Sequence, residues 1–402
     1  MAMCMVKVAI TIEPFPVVFF RLKDGVPMKH PRNWTQLVLC AFWVHCGIGY
    51  AFAQGPAPTD TTKAFHSAAE LELAAYVEAY YAFDFGQPTS GDRPFLYNFN
   101  RHNEVTLNLG LARVDYTKNR VRGAFALMAG TYPQANLAQE PALFRNVFEA
   151  HVGVKLSRSK AIWLDAGVLP SHIGMESAVG MDNWTLTRSL NAENSPYYLS
   201  GVQVSWQPSL RLKVAGLLVN GWQRMRRVQN NTPCFGTQVL WIANDRMKVN
   251  WSTFLGSDTP DSIGLYRIFN NVWWSWEGAN WGVKVAADVG VQEKAKSTEW
   301  NLWADGVAVL RRRLGKQLFA VVRGEYYYDP QQVIVYIAPP IIGSPRGLSA
   351  MGYSLGLDVQ VMPNATVRLE GRMLRTTSYV FEFQNRATQN NTSITVSLAA
   401  KF

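Results

Sequence analysis

Cysteine is nearly missing from this chain, with 4 among 402 residues. Three of them, Cys4, Cys40 and Cys46, precede the export cleavage site argued below, so only Cys234 persists in the mature part. An exported protein with one cysteine forms no internal disulfide, which excludes a small disulfide-stapled fold. Charge is scarce too: Asp, Glu, Lys and Arg make up 17%, against about 25% in ordinary soluble domains. Beyond the amino terminus no apolar run reaches the ~20 residues of a membrane-crossing helix. The mature histidines, His66, His102, His151 and His172, are scattered and fall in no H-E-x-x-H or G-x-S-x-G setting. Ser171-His172 beside Glu176 has the residue types of a triad, but neighbours on one loop make a poor nucleophile–base geometry. An enzyme is therefore not expected, nor a metal or cofactor site, since one cysteine and dispersed histidines make no ligand set.

Aromatic residues are abundant at 12% and hydrophobic ones reach 48%, yet the mean hydropathy is −0.06. These values coexist only if apolar and polar residues are interleaved. The amino terminus is the exception. Lys29 and Arg32 open a basic segment, TQLVLCAFWVHCGIGY is apolar, and Ala51-Phe52-Ala53 gives a small-x-small site before Gln54. This order predicts a Sec-type signal over 1–53, cleaved after Ala53, with Met28 as the true start. Residues 54–68 form a Pro/Thr-biased flexible leader, and 69–402 a single domain. Cleavage removes five basic and two acidic residues, taking the net charge from +10 to +7. An exported chain does not meet nucleic acid, so the basic balance is not a nucleic-acid footprint.

Period-2 alternation then runs through the mature chain. In NEVTLNLGL, Val105, Leu107, Leu109 and Leu111 share a face opposite Thr106, Asn108 and Gly110. In NVFEAHVGVKL, Phe148, Ala150, Val152, Val154 and Leu156 oppose Glu149, His151 and Lys155. The same holds for WGVKVAADVG, MGYSLGLDVQV and NATVRLEGRML. Tiny connections alternate with long polar ones, the longest spanning roughly 171–196. Such asymmetry fits short periplasmic turns and long extracellular loops. The expected fold is all-β: a transmembrane antiparallel up-and-down barrel of about 16 strands. Aromatic clusters at strand ends, Tyr80-Tyr81, Tyr197-Tyr198, Trp273-Trp274 and Tyr326-Tyr327-Tyr328, suit the headgroup layers. The chain closes on SITVSLAAKF, an apolar alternating strand ending in Phe402, which resembles the signal read by the outer-membrane barrel-assembly machinery.

One stretch is more specific. GVLPSHIGMESAVGMDNWTLTRSLNAENSPYYLSGVQVSW, followed by LLVNGWQ, resembles the signature region of the OmpL-like β-barrel porins of Gram-negative outer membranes. The matching positions are Gly167, Ile173-Gly174 with Glu176, Asn183, Thr187-Arg188-Ser189, Pro196-Tyr197, Gly201-Val202 and Asn220-Gly221-Trp222. AYVEAYYAFDF resembles that family's first strand. The resemblance implies an outer-membrane channel and no particular substrate.

A barrel of this size encloses an aqueous bore. Parity places Glu78, Arg122, Glu149, Asp165, Lys213, Lys284, Asp288, Asp305, Arg323, Glu325, Asp358, Arg368, Glu370 and Arg372 on its wall. Neither sign dominates, so weak ion selectivity is expected, and several of these residues can brace the wall as ion pairs. By analogy with general porins, Glu176, Asp182, Arg188 and Glu193 of the third long loop are candidates to narrow the bore, a solvated surface role being the equal alternative. Arg224, Arg226 and Arg227 in the fourth loop are expected to form a solvated loop tip, with lipopolysaccharide or the mouth of the pore as the competing readings. The expected activity is passive diffusion of small hydrophilic solutes, with outer-membrane lipid as surroundings and homo-oligomerisation allowed. The competing readings are a non-conducting scaffold or surface-binding barrel, and a substrate-specific uptake channel.

Overall fold

The protein is described by a computed structural model over residues 70–337, 347–384 and 386–402. The signal segment and leader expected from the sequence lie outside the described residues.

Alternation of lipid-facing and interior side chains lets each segment pair on both edges. In hydrocarbon that pairing must be complete, because every unpaired backbone group costs several kcal/mol. The strands that result are β1 (Glu70–Asp84), β2 (Val105–Lys118), β3 (Val121–Ala129), β4 (Val147–Lys155), β5 (Ile162–Pro170), β6 (Tyr198–Ser209), β7 (Leu212–Val219), β8 (Cys234–Asn244) and β9 (Met247–Ser257). There follow β10 (Tyr266–Glu277), β11 (Trp281–Glu293), β12 (Trp300–Arg313), β13 (Leu318–Asp329), β14 (Leu348–Met362) and β15 (Ala365–Thr376). A small hairpin, β16 (Phe381–Phe383) and β17 (Arg386–Thr388), stands in the last long loop, and β18 (Asn390–Lys401) ends the chain. Leaving out that hairpin, sixteen strands form a closed antiparallel barrel in which β18 sits between β15 and β1. Closure is tight at the terminus: Phe402 N donates to Ala75 O at 2.9 Å, and Ala75 N to Phe402 O at 3.1 Å. Pairing of β18 with β1 thus leaves no free edge. No helix among the described residues is long and apolar enough to cross a membrane. The only α-helical pieces there are α1 (Thr131–Asn136) and α2 (Leu190–Glu193).

The outer wall is apolar. Val77 on β1, Val285 and Val289 on β11, Leu355 and Leu357 on β14, and Ile394, Val396 and Leu398 on β18 are exposed. The inward positions between them are buried and largely polar. Two local expectations need correction. In β2 the register slips between Glu78 and Ala79 of its partner, so Asn108 is an extra residue and both Asn108 and Leu109 are buried inside. In β4 the slip opposite Ala126/Leu127 leaves Phe148 as the extra residue, and it packs inward beside Glu149. A bulge inserts one residue and reverses parity beyond it, so Leu109 and Phe148 face the interior and not lipid.

The aromatic clusters divide likewise. Tyr81 and Tyr326 are exposed, whereas Tyr80, Tyr198 and Tyr327 are buried in the bore. Adjacent residues on a strand point to opposite faces, so Tyr80-Tyr81 and Tyr326-Tyr327 each supply one outward and one interior ring, whereas Tyr197, which precedes β6, lies inside together with Tyr198. Cys234, the one cysteine of the mature part, is the first residue of β8 and fully buried, with Sγ 3.5 Å from Ser257 O.

An arginine placed on the outer face tests the wall directly. Val396→Arg, near the middle of β18, is expected to lower unfolding stability by about 2–4 kcal/mol. Urea titration of vesicle-reconstituted protein measures it, and Thr395→Val, on the interior face, should shift the midpoint far less.

Candidate functional site

The long connection 171–197 enters the barrel and partitions it. Its root is fixed by chain geometry. Ser171 N donates to Tyr197 O at 3.0 Å, joining the two arms. His172 O accepts from Ser252 Oγ at 2.5 Å, and the His172 imidazole Nε2 lies 2.9 Å from Thr253 O. Burial pushes that imidazole down to about 4, so it is neutral at physiological pH. Ser171 Oγ accepts from Ile173 N and Glu176 holds Ser189, so Ser171, His172 and Glu176 do not converge on a common point.

Polar side chains of the loop fold it on itself. The Asn183 amide pairs with Ser177 N and Ser177 O, both at 2.8 Å. Glu176 Oε2 accepts from Ser189 N at 2.8 Å and Ser189 Oγ at 2.9 Å. Ser189 in turn caps α2 by accepting from Ala192 N at 3.2 Å. Short polar side chains compete for backbone groups in this way, which is why the segment loops instead of extending.

Three wall arginines then hold the loop's backbone. Arg368 donates to Gly180 O at 2.8 Å and Trp184 O at 2.8 Å while gripping Asp358 at 2.9 and 3.1 Å. Arg323 donates to Thr187 O at 2.5 Å, Ser354 Oγ at 2.7 Å and Glu370 Oε1 at 3.0 Å. Arg372 donates to Arg188 O at 3.1 Å and Glu325 Oε1 at 2.7 Å. The carboxylates complete the clamp. Glu370 accepts from Thr187 N at 3.0 Å, and Glu325 accepts from Leu190 N at 2.6 Å. Hydrogen bonds to charged groups are worth about 1.5–3 kcal/mol each. Glycine permits the approach at two points. A Cβ on Gly180 would lie 2.6 Å from a Glu78 oxygen, and one on Gly282 would collide with the Trp184 indole.

The first long connection, 85–104, adds to the filling. Arg93 donates to Phe99 O at 2.7 Å and Ser393 Oγ at 2.7 Å, and Tyr97 N donates to Glu193 Oε2 at 2.8 Å. Between the third loop and the β1–β5 wall a cavity of about 600 Å³ remains. Tyr76, Arg113, Glu149, Glu176, Arg188 and Tyr197 line it, with Ala74, Lys401 and Phe402 at the end of the short connections. Over its other end Tyr132 of α1 packs against Tyr197 at a centroid distance of 5.5 Å.

The third-loop candidates do not act as one group. Glu176 and Arg188 line the cavity, Asp182 does so while paired with Lys401, and Glu193 is turned away toward Tyr97. The wall candidates all lie on inward positions. Arg122 pairs with Asp165 at 2.5 Å, and Glu78 accepts from Asn108 Nδ2 at 2.9 Å. Asp288 and Asp305 are cross-strand neighbours bonded by Asn271 at 2.5 Å and Asn191 at 2.6 Å respectively. Lys284 Nζ lies 4.5 Å from the centroid of the Trp184 ring, and Lys213 shares the inward parity of Ala215 and Leu217. Sequence reasoning missed Arg113, which pairs with Glu149 and with Asp115 at 2.5 Å. It also missed Arg93, because no alternation marks a loop residue that folds inward. Arg113 was legible in principle: it shares parity with Leu109 once the β2 bulge is counted.

A closed sixteen-stranded barrel with an apolar outer wall, a polar bore and an infolded third loop defines an outer-membrane porin. The chain belongs to the family described as Putative beta-barrel porin-2, OmpL-like, whose model matches residues 70–402. No curated protein matches it in sequence. Its fold is similar to the anion-selective porin from Comamonas acidovorans, with TM-score 0.55 and 8% identity over 83% of this chain and 100% of that one. It is also similar to the outer membrane channel DcaP of Acinetobacter baumannii, with TM-score 0.54 and 6% identity over 83% and 97%. A third is the trimer form of OmpT from Vibrio cholerae, with TM-score 0.53 and 8% identity over 84% and 100%.

Loss of one clamp tests the partition. Arg368→Gln is expected to expose the backbone amides of 180–188 to hydrogen exchange at least about tenfold faster, equivalent to about 1.4 kcal/mol of lost local protection. Exchange in β14 and β15 should change little.

Proposed function

We propose that this porin is a passive diffusion channel for small hydrophilic solutes, non-enzymatic, whose path runs between the third loop and the β1–β5 wall. One observation carries the reading: the unfilled space beside the loop carries charge on both sides, with Arg113 and Glu149 on the wall and Glu176 and Arg188 on the loop. Charges of both signs there, and the pairs Arg122–Asp165, Arg368–Asp358 and Arg372–Glu325, favour weak selectivity over a strong filter. Phe402 and its strand serve the barrel-assembly machinery, and the exposed Arg226 and Arg227 face lipopolysaccharide. A second reading draws on the same interior. The first and third loops occupy so much of it that the barrel could act as a non-conducting scaffold. Planar-bilayer recording separates the two. Small single-channel steps are expected, larger when 177–193 is replaced by a short glycine–serine link. Silence from both proteins would favour the scaffold.

We also infer a homo-oligomer, its contact on β8–β10. Thr237, Thr253 and Asn270 interrupt the outer wall with polar groups. The two threonine hydroxyls lie 2.7 Å apart, and Trp251 Nε1 donates to Asn270 Oδ1 at 3.2 Å. Asn270 sits between Tyr266 and Trp274 on the same face, at hydrocarbon depth, where its amide donors are costly to leave facing lipid. Gly216, beside Thr237 in register, leaves room for close approach. A second copy of the chain supplies acceptors that lipid does not, and a fold neighbour described in a trimer form supports the reading. Asn270→Leu combined with Thr253→Val should convert the oligomer band on semi-native gels to monomer while the barrel stays heat-modifiable. An unchanged band would remove this face from consideration.

A further inference from the structure

The two mouths of the barrel differ in charge. Among the described residues the long connections carry ten basic and ten acidic side chains. The short connections carry Arg120, Arg158, Lys160, Arg211, Arg246 and Lys316 against Asp245 alone. The excess of positive charge in the connections is therefore confined to the short-connection mouth, which is the periplasmic one in a porin.

The excess continues into the bore along β7–β12. Lys248 and Lys284 flank Ser275 in one lateral row, because Ser275 pairs with Lys248 on β9 and with Lys284 on β11. Strands lie about 4.8 Å apart, so the two stems stand about 10 Å from each other. Lys213 lies on the same side of the bore. No acceptor among the described residues is within hydrogen-bond distance of the Lys213, Lys248 or Lys284 amines. Two further N–H groups in this zone are buried without an acceptor, Arg311 Nε and Trp273 Nε1.

The carboxylates that face this row are few or occupied. Glu277 lies 3.7 Å from Arg311 and its side chain is 63% exposed. Asp358 is gripped by Arg368, and Glu176 is bonded to Ser189. Aromatic faces hold the cations in place instead: Lys284 Nζ is 4.5 Å from the Trp184 ring centroid, and Arg311 Cζ is 4.0 Å from that of Phe319. A ring orients a cation without consuming its hydrogen-bond capacity. The zone thus holds more donors than acceptors, with Glu277 at 3.7 Å from Arg311 its one loosely paired carboxylate, which is the chemistry of an anion site.

We propose that Lys248, Lys284 and Arg311, with Ser275 and Trp273, form an anion subsite inside the periplasmic mouth, on the wall opposite the β1–β5 path, and that its field at this shared mouth makes the channel prefer small anions bearing carboxylate, phosphate or halide charge. The proposal rests on the diffusion reading for its physiological meaning and gives the weak selectivity its sign. The cations face the bore and not the outer wall, so solute anions are the occupants and lipid headgroups are not. The six turn cations raise the local anion concentration, and the subsite receives what they gather. Screening limits that gathering to about 10 Å at 0.1 M salt and about 3 Å at 1 M.

Zero-current potentials across a tenfold potassium chloride gradient test it. Wild-type channels should favour chloride over potassium by at least about twofold at 0.1 M mean salt, less at 1 M. Lys248→Glu with Lys284→Glu should reverse the preference, and the milder Lys248→Gln, at an exposed position, should weaken it if the double variant fails to fold. A conducting channel with no chloride preference overturns the subsite and leaves the diffusion reading standing. Tryptophan quenching in detergent judges the subsite without conduction. Iodide should quench more than caesium, with the excess reduced in the Lys248 variants, and equal quenching by the two ions overturns the subsite even in a silent barrel.

Discussion

Every backbone donor and acceptor at membrane depth has to be satisfied within the protein, and the rest of the architecture follows from that demand. It forces sixteen strands to close and gives Phe402 its place opposite Ala75. It also fixes parity, since a slip of one residue would turn Arg323, Arg368 and Arg372 toward hydrocarbon. Closure therefore decides which residues become interior before any loop is placed.

Closure alone leaves a bore whose wall charges only water can satisfy, and the third loop takes water's place there. Buried arginines require acceptors, and a wall of paired strands has few carbonyls to spare. The loop supplies Gly180 O, Trp184 O, Thr187 O and Arg188 O. Loop and wall satisfy each other: without the loop the guanidinium groups would need water, and without the guanidinium groups the loop carbonyls would. The unfilled space survives on the β1–β5 side, where Arg113 and Glu149 are already paired across β2 and β4.

Charge is arranged on two scales. Over most of the bore wall, acids and bases neutralise one another at contact distance, as in Arg122–Asp165, Arg368–Asp358 and Arg372–Glu325, while Lys213, Lys248 and Lys284 stand apart from this pairing. Along the axis acids and bases do not neutralise one another, because the short connections are almost free of acid and the long ones are balanced. Composition alone, with its small positive excess, carries no trace of this polarity. It emerges only when the chain folds back at Arg120, Lys160, Arg211 and Arg246 and gathers them at one end.

Alternation, loop asymmetry and the aromatic terminus determined the barrel from sequence alone, because lipid imposes one rule on every strand and each strand repeats it. The inward wall residues were legible for the same reason. Bulges at Asn108 and Phe148 were not, since an extra residue leaves no local mark and shows only against a partner strand. The hairpin β16–β17 hid in a loop for want of a full period-2 run. What Glu176, Asp182, Arg188 and Glu193 touch was decided by tertiary structure. A loop has no period to orient its side chains, and theirs were set by arginines and tyrosines distant in sequence that close a shared set of hydrogen bonds.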